Sequence, residues 1–545
     1  MPARRRRDTT GGPRPAAAKG RRAAVQDDGR GERPVVGRWP WALTLGAYLG
    51  LAVLFFTHSE HARLDFPLDD AWIHRVYARA MALGQGLAYN PGQQETGATS
   101  PLWAAVTAPA HWLAPLGPAA PVLAVKLIGV LCGGLAVVAL CRVLAAIGLP
   151  GPAVAAGGLV LALEPRLHFS ALSGMEVVLA VWLWLELTRL VVRGSARPAL
   201  LLAGLLPLAR PEAALVVPYA LLALAAVIRR DGARRPPWWS FLPVAVPTAA
   251  WALFCRAVSG HWLPATFYVK SQGFGLDPQR VTLAWQAVAQ HGWATQLIFP
   301  IGLVAAAAWL ALRRTGASLA LFLLLLAAPV TYLLGVVGTR AVDLVGYYWS
   351  RWTDPASLIL TAAAGLGVAA LVAAVPKWRH LRHLVSGSED SRQGLRAVGP
   401  VIALLGLVLA LPGLVGSIAE RRQQLSSDGR AIRLVNVEPA LWIRDNTPPD
   451  AVVGVIDAGA SRYFGERHTI DMVGLNNSAL VFGRTDPNAL LARMDWLVAF
   501  REVIEQPGLA ALFETQRVFG VPEDEYTVCP CPDQARNFVA RRRAP

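Results

Sequence analysis

LTLGAYLGLAVLFF (43–56), VLAVKLIGVLCGGLAVVAL (122–140) and ASLALFLLLLAAPVTYLLGVV (317–337) carry one charged residue between them, Lys126. A helix built from such a run can cross a hydrocarbon core about 30 Å thick. These stretches decide the class: a polytopic α-helical membrane protein. Working outward, 54% of the 545 residues are hydrophobic and the mean hydropathy is +0.40. A soluble domain is usually about 45–50% apolar by a similar count.

The net charge of +16 would suit a nucleic-acid binder, but the charge sits in the wrong places for one. It collects in an N-terminal tail (Arg4 to Arg7, Arg21, Arg22) and in short loops between apolar runs. These loops are RRDGARR (229–235), Arg313-Arg314 and KWRHLRH (377–383). Such loops mark the cytoplasmic side of a membrane, so the charge reports orientation and no nucleic-acid partner. Residues 1–38 read as a disordered, basic cytoplasmic tail. Apolar runs then predict about eleven spans, at 41–57, 118–142, 150–164, 174–192, 198–209, 213–228, 238–256, 294–312, 317–337, 355–375 and 398–418. An odd number puts the C-terminal end opposite the N-terminus.

This threading gives a transmembrane domain over 39–418 with a long periplasmic first loop at 58–117. Residues 419–545 form a small periplasmic α/β domain. Within it PALWIRDNTP (439–448) reads as a helix, AVVGVIDAGA (451–460) as a buried strand and glycine turn, and HTIDMVGL (468–475) as a second strand. Cys529 and Cys531 are either unpaired thiols or a local disulfide, and have too few companions for a metal site.

The strongest chemical signal is DFPLDDAWIHRVYARAMALGQG (65–86), directly after the first span. Asp69 can cap a helix. Ile73, Val76, Tyr77, Ala80 and Leu83 recur at helical spacing, which predicts an amphipathic helix on the membrane surface with the acidic pair at its start. A carboxylate there can take the proton of an attacking hydroxyl. The bland reading is a cap and a surface charge. Downstream, Thr99 or Ser100 can cap a second interfacial helix, and Trp103 suits the headgroup level. Lys126 reads as a side chain snorkelling to the headgroups.

Further polar groups occupy turns on the same side of the membrane: Glu176 in SGME, Arg210 and Glu212 in ARPE, Tyr268 and Lys270 in LPATFYVK, and Arg351 after YYWS. Charge so near hydrocarbon tends to face a cavity or to pair. A structural Glu176–Arg210 pair is the plain alternative to a binding role.

The run LDDAWIHRVYARAMALGQGLAYNPGQQETGATSPLW (68–103) resembles the first outer loop of a bacterial group of GT-C fold glycosyltransferases that includes mycobacterial terminal arabinofuranosyltransferases. SGME, ARPE, LPATFYVK and IDAGASRYFGERHTIDMVGLN (456–476) are similar to later landmarks of the group, in the same order. The resemblance implies a polyprenyl-phosphate sugar donor, an inverting reaction on the periplasmic face of the inner membrane, and an Asp general base, Asp69 or Asp70, with Asp69 slightly favoured. It assigns Glu176, Arg210, Glu212, Tyr268, Lys270 and Arg351 to the donor phosphate or sugar. Val177, Ala265, Thr96 and Ala98 depart from the group's usual Thr, Asn, Glu and Tyr, which leaves the sugar open.

The implied partners are the lipid-linked donor, membrane lipids and an envelope glycan, lipid or protein acceptor. No cofactor is required, although two Asp residues with phosphate and water can hold Mg²⁺ or Mn²⁺. The competing reading is a transporter or flippase for an envelope glycan precursor. Transporters place ionisable groups near the bilayer midplane, whereas here they gather at one interface. A non-catalytic sensor or assembly protein is a third reading, opposed by the intact acidic pair.

Overall fold

The computed structural model describes residues 37–544 apart from 272, 276–277, 290–297, 340–346, 382–388 and 530. The basic tail expected at 1–38 lies outside these residues but for its last two, as do parts of the stretches between the spans expected at 317–337, 355–375 and 398–418.

Six helical stretches among the described residues are long and apolar enough to cross a membrane: Trp39–Phe56, Ala119–Ala146, Pro211–Arg230, Trp238–Ser259, Gly316–Thr339 and Ser350–Ala374. Shorter apolar helices occupy Gly151–Ala162, Ala196–Ala209 and Ile298–Ala311. This is the architecture of a polytopic helical membrane protein. Small residues let the helices approach closely. Gly157 and Gly365 face each other across one crossing, and a Cβ on either would lie 2.5 Å from the other's carbonyl oxygen.

A five-stranded sheet follows the helices. Its strands are β3 (Val452–Val455), β4 (His468–Asp471), β5 (Trp496–Phe500), β6 (Phe513–Gly520) and β7 (Arg536–Arg542), in the order β4-β3-β5-β7-β6. A small hairpin, β1 (Ala88–Asn90) with β2 (Gln93–Gln94), lies earlier in the chain. Strand β3 pairs in parallel with β4 and β5, while β7 runs antiparallel to β5 and β6. Every residue of β5 is buried, as expected of a central strand covered on both faces. The two-residue period sorts its side chains. Trp496 and Val498 pack with Ile73, Val76 and Tyr77, whereas Leu497 and Ala499 pack with Leu490, Met494 and Ile504.

The first group shows where the acidic helix lies. Asp69–Ala82 is clamped between this face of the sheet and the turn Ala108–Leu116, with ten of its fourteen residues buried. Its apolar stripe is covered by protein, the strands of this sheet among it. Its polar residues are absorbed by long-range partners: Arg75 bonds the Thr107 carbonyl (3.1 Å), and Arg79 bonds the Tyr463 carbonyl (2.9 Å).

Two smaller expectations also change. Trp103 is fully buried, and its indole N–H donates to the Gly174 carbonyl at 2.8 Å, so it is not a headgroup anchor. Lys126 is buried rather than snorkelling, its ammonium donating to the carbonyls of Ala62 and Leu172 at 2.9 and 2.7 Å. Both side chains tie the segment after the first span to neighbouring helices.

Candidate active site

Asp69 and Asp70 open their helix, where the unsatisfied N–H groups and the helix dipole favour negative charge. Neighbouring helical residues point about 100° apart. The two carboxylates consequently reach different surroundings.

Asp69 turns toward the sheet. It accepts the backbone N–H groups of Gly459 at 2.7 Å and Ala460 at 2.8 Å, in the turn after β3. Thus it caps the start of Ala460–Gly465 and not its own helix, whose N-cap position is Leu68. The contact is so close that a Cβ on Gly459 would lie 2.2 Å from the Asp69 carbonyl oxygen. Burial and the nearby Asp457 carboxylate push Asp69 well above the ordinary carboxylate range, against the pull of the two N–H groups. Burial also raises Asp457, to about 6, opposed by the Asn436 amide donating at 2.6 Å.

Asp70 turns the other way, into a small cavity of about 40 Å³. Its Oδ2 takes the Arg351 guanidinium at 2.5 Å and the Lys270 ammonium at 3.3 Å. Burial alone would raise the Asp70 carboxyl. Lys270, Arg351 and His74 outweigh that effect and hold it well below the usual carboxylate range. Arg351 is itself anchored, donating to the carbonyl of Tyr348 and lying 4.8 Å from the Trp352 ring centroid.

Behind this pair stands a second layer. Glu176 bridges Arg210, at 3.0 Å, and the Nε2 of His74, at 3.1 Å. Burial raises the Glu176 carboxyl, but Arg210 and His74 more than compensate and bring it down to about 2. Arg210 also donates to the Arg351 carbonyl at 2.9 Å and lies 3.6 Å from Glu212. A chain of contacts thus runs from His74 through Glu176 and Arg210 to the backbone of Arg351. Such a network fixes a buried cation with little freedom to relax.

Of the residues singled out from sequence, Asp70, Glu176, Arg210, Glu212, Lys270 and Arg351 line the cavity together. Asp69 and Tyr268 do not. Tyr268 is half-exposed and packs edge-on against His261 and Phe482, at 5.5 and 5.1 Å between centroids. His74 was missed, although its place one helical turn after Asp70 puts both on one face and could have flagged it. Asp457 and Asn436 were missed because no local spacing connects them to the acidic helix.

The acidic pair does not fit a divalent cation. The Asp69 oxygens are engaged by backbone N–H groups, and Oδ2 of Asp70 faces two cations. Among the described residues, no three His, Cys, Asp or Glu side chains gather as metal ligands. The cavity brings Arg210, Lys270 and Arg351 together with Asp70, Glu176 and Glu212, and the two cations held on Asp70 suit an anion arriving beside a proton acceptor.

Comparisons with known proteins add the following. A family model described as a domain of unknown function (DUF8728) matches residues 419–538. No curated protein sequence matches the chain. Among solved structures, the chain is similar to ArnT from Cupriavidus metallidurans bound to undecaprenyl phosphate. That match has 15% identity and a TM-score of 0.56, over 92% of this chain and 98% of that one. It is also similar to the oligosaccharyltransferase of Archaeoglobus fulgidus tethered with an acceptor peptide, at 12% identity and a TM-score of 0.52, over 85% and 69% of the two chains. Both are GT-C glycosyltransferases, and the likeness gives this chain the GT-C fold.

Proposed function

We propose that the chain is an inverting membrane glycosyltransferase that takes its sugar from a polyprenyl-phosphate carrier, with Asp70 as general base. The observation that carries this reading is the pairing of Asp70 with Arg351 and Lys270 in one cavity. A phosphate and a carboxylate compete for the same cations. A donor phosphate therefore enters by drawing Arg351 and Lys270 away from Asp70.

That exchange matters for the chemistry. With its cations shared, the Asp70 carboxylate rises from its depressed range and becomes a better proton acceptor. The acceptor hydroxyl then attacks the anomeric carbon, and its proton passes to Asp70. The new C–O bond forms as the bond to the phosphate oxygen breaks, and polyprenyl phosphate leaves with its charge against Arg351 and Lys270. Asp69 serves as a positioning residue, locking the start of the acidic helix to the turn at Gly459. The proposed placement puts this cavity on the periplasmic side of the inner membrane, with the N-terminus in the cytoplasm and residues 419–545 outside. The acceptor is an envelope glycan, lipid or protein.

The test supplies purified protein with several radiolabelled polyprenyl-phosphate sugars and a cell-envelope extract. Transfer by the native protein and its loss in Asp70→Asn are expected. Native-rate transfer by that variant would refute the base. A nucleotide sugar working directly as donor would refute the carrier.

A further inference from the structure

The helices that frame the acidic cavity have a second set of ends. Val177–Val192 begins beside Glu176, Ala196–Ala209 ends at Arg210, and Leu242–Ser259 leads toward Lys270. At about 1.5 Å per residue, their other ends lie some 21–27 Å away.

There a cavity of about 460 Å³ opens, lined by Gly194, Ala196, Arg197, Arg234, Arg235, Pro236 and Pro237. This lining carries three arginines and no carboxylate. The neighbouring acid, Asp231, is not part of the lining, and its two oxygens accept the backbone N–H groups of Gly316 and Ala317, each at 2.7 Å. The walls are ordered by local packing. Gly194 turns with a positive φ of 69° against Ala233, and the Arg197 guanidinium lies 4.6 Å from the Trp239 ring centroid. Trp238, Trp239, Phe241 and Leu242 beside it are all exposed.

We propose that this cavity binds the phosphate headgroup of an anionic phospholipid. An orientation bias toward basic loops requires only scattered arginines. Here three converge on a hollow large enough for a headgroup, beside exposed aromatic and apolar side chains at the ends of membrane-crossing helices. Arginines supply the hydrogen-bonding fork that phosphate takes, and the apolar rim suits acyl chains. The same phosphate chemistry occurs in soluble ions, but those have no use for such a rim. The inference is independent of the reaction proposed above.

The test is native mass spectrometry of the full chain, released from detergent and titrated with phosphatidylglycerol, phosphatidylcholine or inorganic phosphate. The native protein is expected to retain phosphatidylglycerol in preference to phosphatidylcholine, undisturbed by excess inorganic phosphate. The triple variant Arg197→Gln/Arg234→Gln/Arg235→Gln should lose at least about tenfold in phosphatidylglycerol affinity. A control, Arg313→Gln/Arg314→Gln, should retain native binding. Equal binding by the triple variant, or an equal loss in the control, overturns the site. Full competition by inorganic phosphate overturns the lipid as its ligand. Unchanged melting temperatures keep unfolding from imitating the expected result.

Discussion

The two ends of the Val177–Val192 and Ala196–Ala209 helices handle positive charge in opposite ways. At one end Arg210 and Arg351 are buried, and each meets a carboxylate within hydrogen-bond reach. At the other, Arg197, Arg234 and Arg235 are exposed around a hollow that contains no acid. Burial is the source of the difference. A guanidinium removed from water needs a partner at hand, whereas one left in water can wait for a ligand. The first end is thus a closed network that a ligand must break into, and the second is open.

The sharpest way to break this contrast is Asp70→Asn. It should reduce sugar transfer by about 10²–10⁴-fold, measured as product formed per minute on variant protein that remains folded at the assay temperature. Arg351→Gln ranks next, with an expected loss of about 10²-fold concentrated in turnover, because the leaving phosphate loses a charge partner. A change in KM alone would make Arg351 a binding group and not a partner of the departing charge.

Glu176→Gln tests stability in the same network. Removing one member of a buried pair costs about 3 kcal/mol. The Glu176 carboxyl is depressed from its ordinary 4.5 to about 2, so its stabilisation is complete above pH 4.5. It fades as pH falls through that window. The deficit of the variant, read from denaturant unfolding in detergent, should be full at pH 7 and shrink between pH 4.5 and 2. A deficit independent of pH would mean that packing, not charge, holds this end together. The smallest effect belongs to the open end, where Arg234→Gln should alter stability by less than about 0.5 kcal/mol in the same measurement.

The helical membrane class was legible because it depends on long uncharged runs, a local property of the chain. Much of the candidate site was legible as a collection of polar turns on one side of those runs. Its internal arrangement was not. Trp103 and Lys126 have the composition of interfacial residues, yet backbone carbonyls from distant segments capture both. The Asp69–Ala82 helix shows the same limit. Its apolar stripe gives one face to bury, and a sheet formed more than 350 residues later covers that face.

The amino-acid order alone determined that helices would cross a bilayer and that acids, arginines and a lysine would cluster at one set of helix ends. Hydrophobic length and charge placement act within a segment and need no partner. Only the tertiary structure decided that Asp69 would be tied to a turn 390 residues away while Asp70 meets an arginine 281 residues away. Adjacent side chains on a helix diverge by a fixed angle, and what each one meets is set by packing between segments that no local pattern relates.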